Sequence, residues 1–139
     1  MGQYERSHTY EEMDRDAGLE VRVTDPDTGG MKGQKPERYS LLPVEALAEV
    51  ARVYEYGSRK YDDHNWRKGY AWSLSYDALQ RHINAFWRGE SYDLESGLHH
   101  LAHATFHLFT LMTFDGVSVE DSQSAIDKFA GYLKKDDRP

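Results

Sequence analysis

The chain has 139 residues, no cysteine and a formal net charge of −7. That length suits one domain with a modest core, the missing cysteine excludes disulfides and thiolate metal sites, and the acidic balance argues against a general DNA or RNA binder, which would show a basic footprint. No apolar run approaches the roughly 20 residues of a membrane span and no signal-peptide pattern opens the chain, so a cytoplasmic protein with no membrane contact is expected.

Residues 1–30 are polar and acidic, with Pro26 and Gly29-Gly30 near their end. They read as a flexible polar arm holding at most a short strand at Leu19–Thr24. Residues 31–139 read as a single domain. Its first part, residues 31–69, carries eight of the 17 lysines and arginines. This basic island in an acidic chain suits a small polyanion such as a nucleotide. Met31–Tyr39 reads as a loop through Gly33 and Pro36.

A first helix is predicted from Pro43 to about Tyr56, with proline in the first turn and Gly57 just past the end. Val44, Leu47, Val50, Ala51 and Tyr54 form its apolar stripe, while Glu45, Glu49 and Arg52 share another face. Residues 57–72 read as a loop with at most one helical turn. A second helix spans about Ser75–Arg88, closed by Gly89, and points Leu79, His82, Ile83 and Phe86 inward. The connection that follows holds Glu90, Asp93 and Glu95.

Gly97–Phe114 reads as the central helix, apolar on nearly every side, yet it carries His99, His100, His103 and His107. His100, His103 and His107 fall at i, i+3 and i+7 and share a face. A buried polar group without a partner costs on the order of 1–3 kcal/mol, so these imidazoles must be answered by something. Asp115-Gly116 ends the helix, with Asp115 opposed to the helix dipole. A last helix is expected from Ser118, with Asp121 as a variant capping box and Ile126, Phe129, Ala130 and Leu133 on its apolar face. Four helices without convincing strand pairing predict an all-α, four-helix bundle with a polar N-terminal arm, its neighbouring helices antiparallel.

Three constellations could carry chemistry. Glu45 and Glu49 on one helix and His100 and His103 on another could hold a metal in the bundle core; the alternatives are a solvated face paired to Arg52 and core histidines bonded to other side chains. Lys32, Lys35 and Arg38 in one loop, and Arg59, Lys60, Arg67 and Lys68 interleaved with Tyr61, Asn65 and Trp66 in another, could cradle phosphates and stack a base, or be scattered surface charge. Glu90, Asp93 and Glu95 could supply a metal ligand or a general base, or form a solvated turn.

The runs KPERYSLLP, YGSRKYDDHNWRKG and LQRHINAFWRGESYDLESGLHHLAHA, within residues 31–114, resemble the N-terminal domain of dATP/dGTP diphosphohydrolase, a phage and bacterial family. The resemblance implies kinship with MazG-like all-α nucleotide pyrophosphohydrolases, which release a monophosphate and pyrophosphate with Mg²⁺ held by carboxylates on two helices. Glu45 and Glu49 can stand for part of the first carboxylate motif, although their spacing differs from the family pattern. Where the second would fall, this chain has His100 and His103, which suit Mn²⁺ or another transition metal better than Mg²⁺.

The expectation is therefore a metal-dependent diphosphohydrolase of purine deoxynucleoside triphosphates, dimeric or larger because so apolar a central helix is hard to cover with few partners. Glu45, Glu49, His100 and His103 would hold the divalent metal, Glu49 or Glu95 would accept the proton of the attacking water, and Lys35, Arg59, Lys60, Tyr61, Asn65, Trp66, Arg67 and His82 would bind substrate. The alternative is a non-catalytic protein that sequesters a nucleotide or signalling dinucleotide in phage–host conflict.

Overall fold

The computed structural model describes residues 21–116 and 122–139. It is mostly helical, with one small two-stranded sheet. The chain divides into two compact units, one ending at Leu42 and the other running from Pro43 to Pro139.

In the N-terminal unit, β1 (Val21–Thr24) pairs antiparallel with β2 (Met31–Gln34), Val21 opposite Gln34 and Thr24 opposite Met31. Met31–Gln34 is therefore a strand where a loop was expected. The cause is the turn between the strands. Asp25 accepts the backbone N–H groups of Asp27 (2.9 Å) and Thr28 (2.8 Å), its own N–H reaches the Gly30 carbonyl at 2.8 Å, and the Gly29 N–H returns to the Asp25 carbonyl at 3.0 Å. This Asx-type closure brings the two strands into register. Pro36 lies beyond the strand end, so it takes no ladder bond away. Residues 1–20 of the expected arm lie outside the described residues.

The second unit holds α1 (Val44–Lys60), α2 (Trp72–Trp87), α3 (His100–Phe114) and α4 (Gln123–Leu133), with a short 3₁₀ turn at Asn65–Lys68. α1 runs one turn past the expected stop at Gly57. Arg59 pairs with Glu55 at 2.9 Å and Lys60 with Glu95 at 3.2 Å, holding the added turn against the cost of an internal glycine. The inward face of α1 also differs from the expected stripe. Val50 and Val53 are buried, whereas Val44, Leu47 and Ala51 are exposed. α3 meets α1 through Ala102 and Phe106, which pack with Val50, Val53, Tyr54 and Leu98.

α3 is the central helix, packed against α2 along its length and against α1. His99 caps its N-terminus, its Nδ1 accepting the Leu101 N–H at 3.0 Å. At its other end Phe114 is fully buried, with the rings of Tyr70, Trp72, Trp66 and Tyr132 around it. Asp115 caps that end, with the Arg138 guanidinium 3.9 Å away to offset its unfavourable position on the helix dipole. In α2, Ser75, Leu79 and Ala85 are buried and His82 is half-buried, whereas Ile83 and Phe86 are exposed against expectation.

Ser122 caps α4 by accepting the Ala125 N–H; the expected start at Ser118 and its pairing with Asp121 lie outside the described residues. α4 is clasped to the 65–70 loop through Tyr132, whose hydroxyl donates to the Arg67 carbonyl at 2.7 Å and whose carbonyl accepts the Trp72 indole N–H at 3.2 Å. Gly69 lets this clasp close: its φ is 83° and a Cβ there would press on the Tyr132 ring. Among the described residues no helix is long and apolar enough to cross a membrane.

Two glycines in this unit should respond to alanine with opposite signs. Gly57 lies inside α1 with open space around its Cα. Gly57→Ala should raise stability by about 0.5–1 kcal/mol. Gly116 has φ 79°, and a Cβ there would collide with the Phe129 ring. Gly116→Ala should cost about 1–3 kcal/mol. Thermal denaturation of the two variants, read as Tm shifts of opposite direction, checks this.

Candidate functional site

A cleft of ≈ 770 Å³ opens in the second unit between α1, the 61–70 loop, α2, the 93–95 connection and α3. Its lining holds six aromatic rings, Tyr54, Tyr56, Tyr61, Trp66, Tyr70 and Phe106, together with His82, Asp93, Glu95, His103 and His107. Burial raises the phenol pKa values of Tyr54 and Tyr70, so both remain protonated donors at neutral pH.

The connection Glu90–Gly97 is a tight backbone knot. Asp93 N–H donates to the Leu98 carbonyl at 2.8 Å, Gly97 N–H to Asp93 at 2.7 Å, and His100 N–H to Ser91 at 2.8 Å. Its polar side chains reach the central helix. Ser96 donates both its N–H (3.0 Å) and its hydroxyl (2.8 Å) to Asp93 Oδ2, and its Oγ lies 2.7 Å from His103 Nε2. A serine hydroxyl has one proton, and an ionised carboxylate only accepts. The Ser96 proton therefore belongs to Asp93, and His103 donates from Nε2. Burial works against the Asp93 charge, but the two Ser96 bonds and the neighbouring imidazoles outweigh it and hold its pKa below the usual carboxylate value.

The histidine stripe is answered within the domain. His82 Nδ1 and His100 Nδ1 are 2.9 Å apart, and the His82 ring stacks on His103 with centroids at 4.5 Å and planes within 6°. His107 Nδ1 meets Ser75 Oγ at 3.0 Å, and Ser75 Oγ in turn meets the Tyr70 hydroxyl at 2.7 Å. Burial pushes the pKa of His82 down to about 4, helped by His103 and His100; burial, with His82 and His103, brings His107 down to about 4 as well. His103 is lowered too, mainly by burial. His82, His103 and His107 are therefore neutral hydrogen-bonding groups at pH 7.

Of the residues singled out in the sequence, Lys60, Tyr61, Asn65, Trp66, His82, Glu95 and His103 line the cleft together. Glu45, Glu49, Arg59, Arg67 and His100 do not. Glu45 is exposed in the first turn of α1, and Glu49 is bonded to Arg52 on the same helix. Arg59 is held by Glu55, and the Arg67 guanidinium lies 4.5 Å over the Trp66 ring. His100 is buried behind His82, its Nε2 3.9 Å from Glu90. Lys35 belongs to the N-terminal unit.

The expected four-ligand metal set is thus not assembled. The α1 face that meets α3 is Val50 and Val53, which turns the two glutamates elsewhere. Among the described residues no group of three or more His, Asp or Glu is placed to hold a metal ion.

Sequence reasoning did not single out Ser75 and Ser96, which join the imidazoles to Tyr70 and Asp93. Arg81, which also lines the cleft, carried no site role in the sequence reading. Arg81 sits beside His82 in one of the three runs that carry the family resemblance. The lining is acidic: Glu55, Asp62, Asp63, Asp93 and Glu95 face only Lys60 and Arg81. Glu95 accepts from Lys60 at 3.2 Å and from the Tyr56 hydroxyl at 3.1 Å, and these bonds lower its pKa.

The depressed imidazoles make stability depend on pH. An unfolded histidine titrates near 6.5, whereas His82 and His107 do so at about 4 in the fold. The unfolded chain therefore binds more protons in that interval. Their contribution is complete above about pH 6.5 and is lost as pH falls through the window to about 4. Tm measured across it should fall steadily, and His107→Leu should flatten the slope.

Comparison with known proteins places the chain in a family. A protein of Salmonella phage PMBT28 named dATP/dGTP diphosphohydrolase is 40% identical over 65 residues, which cover 47% of this chain and 22% of that protein. The chain thus matches about a fifth of that relative's length. No solved structure matches. The family model described as "dATP/dGTP diphosphohydrolase, N-terminal" matches residues 26–122, most of the chain, and the chain belongs to that family.

Proposed function

We propose that the cleft binds a purine deoxynucleoside triphosphate and hydrolyses it to the monophosphate and pyrophosphate, in a cytoplasmic, MazG-like helical domain. The observation that carries this reading is the meeting, in one cleft of nucleotide size, of aromatic rings with ionised carboxylates and hydrogen-bonded imidazoles. Family membership and the name of the phage relative support the reaction class.

Phosphate oxygens would meet Lys60 and Arg81, and the base would lie against Trp66 or Tyr61. The five carboxylates repel a bare triphosphate. A divalent cation, Mg²⁺ or Mn²⁺, therefore enters as part of the substrate, bound to its phosphates. In the reaction a water oxygen attacks the α phosphorus, the bond from that phosphorus to the bridging oxygen breaks, and pyrophosphate departs. Glu95, ionised at neutral pH, would accept the water proton, with His103 held by Ser96 and Asp93 beside it.

One observation favours a second reading, a cleft that sequesters its nucleotide uncleaved: the carboxylates of α1 expected to serve catalysis stand outside the site. Incubation with dATP and dGTP in Mg²⁺ or Mn²⁺, followed by heat denaturation and chromatography, separates the two. Monophosphate and pyrophosphate are expected; complete recovery of intact triphosphate would leave only sequestration. Glu95→Gln should lower turnover by about 10²-fold or more, whereas Glu49→Gln should leave it unchanged.

Assembly into a homo-oligomer belongs to the same proposal. Leu101, Leu108 and Met112 form an exposed stripe along α3, at i, i+7 and i+11, which a second copy would cover. Light scattering after size exclusion should report a dimer or larger species, and Leu108→Glu should shift it towards the monomer.

A further inference from the structure

The pairing of His82 with His100 fixes which nitrogen of His82 carries its proton. The contact is Nδ1 to Nδ1 at 2.9 Å, so one ring donates and the other accepts. His100 is buried, and its far nitrogen, Nε2, lies 3.9 Å from the Glu90 carboxylate. A carboxylate favours a proton on the nitrogen that faces it. With its proton on Nε2, His100 has a lone pair on Nδ1. His82 must donate from Nδ1, which leaves the lone pair of His82 on Nε2.

His82 lines the cleft and His100 does not. Nδ1 of His82 is taken up by His100, so Nε2 is the ring nitrogen left to meet a ligand. We infer that His82 Nε2 is a fixed hydrogen-bond acceptor that reads an N–H group on the edge of a bound nucleobase, with His100 and Glu90 as positioning residues. This rests on the proposal that the cleft holds a nucleotide.

The chemistry selects the base over the phosphates. A lone pair facing a phosphate oxygen sets two acceptors against each other, whereas an exocyclic amino group or a ring N–H supplies the donor. The aromatic rings of Tyr54, Trp66 and Phe106 line the same cleft and offer flat surfaces to a base. Adenine and guanine each present N–H donors on the edge away from the sugar. Unsubstituted purine, with the same ring shape, presents none. A site that accepts a donor rejects an analogue lacking it, because its buried acceptor is left unmet.

The test is nitrogen NMR of the full chain labelled with ¹⁵N-histidine, with His82 assigned by its loss in His82→Gln. In the free protein His82 should show a protonated Nδ1 and an unprotonated Nε2, and Glu90→Gln should mix the two tautomers. An Nε2-protonated His82 overturns the inference whatever the protein binds. dATP or dGTP should move the Nε2 signal, and the unsubstituted purine deoxynucleoside triphosphate should not. His82→Phe should weaken dATP and dGTP binding about tenfold while leaving the unsubstituted analogue unchanged. If nucleotides shift the Trp66 indole but not His82 Nε2, the inference falls and the nucleotide reading stands. If neither moves, both fall. If Zn²⁺ alone claims the Nε2 signal, that nitrogen is a metal ligand and the base-reading role is overturned.

Discussion

Imidazoles placed on a buried helix have to be bonded, and the second unit is built around meeting that demand. His100 and His103 of α3 are both buried, yet no buried side-chain nitrogen or oxygen among the described residues is left without a hydrogen-bond partner. The partners come from two other segments. α2 contributes His82 to His100 and Ser75 to His107, and the connection between the helices contributes Ser96 to His103. Each of these bonds also ties a neighbouring segment to α3. The polar network thereby sets how α2 and the connection sit against the central helix, in addition to the apolar contacts. Such a network specifies one arrangement because a half-satisfied version of it is costly.

The same bonds set the chemistry of the cleft. Withdrawing His82 and His107 from water removes their charge at neutral pH, so they supply directional donors and acceptors and leave fixed charge to the carboxylates and two cations. Tautomers then matter more than titration. His103 donates towards Ser96 because Asp93 takes the serine proton, and the choice at His100 passes on to His82. Carboxylates at the edge of the network thus decide which nitrogens face the ligand.

Much of this could be read from the residues. The existence of the helices, the inward placement of His82 and the shared face of the α3 histidines follow from period, caps and turn residues. What escaped was rotational and local. The apolar positions of α1 allow more than one inward face, and a shift from the Leu47–Ala51 side to Val53 moves the glutamates out of the site. The partner helix made that choice, and a one-helix pattern does not contain it. Ser75 and Ser96 give no periodic signal; their importance lies in a neighbour 32 residues on for one and seven for the other. The strand at Met31–Gln34 was hidden by Gly33 and Pro36, and only the Asp25 turn reveals it.

The Tyr132 clasp has a consequence for how the molecule could be dissected. Every residue that lines the cleft lies between Val53 and His107. The loop bearing Trp66 and Tyr70, however, is braced by a tyrosine 65 residues beyond Arg67, whose carbonyl it holds. A fragment ending at Phe114 would keep the whole inventory of lining side chains and lose the strut that holds the loop carrying Trp66 and Tyr70.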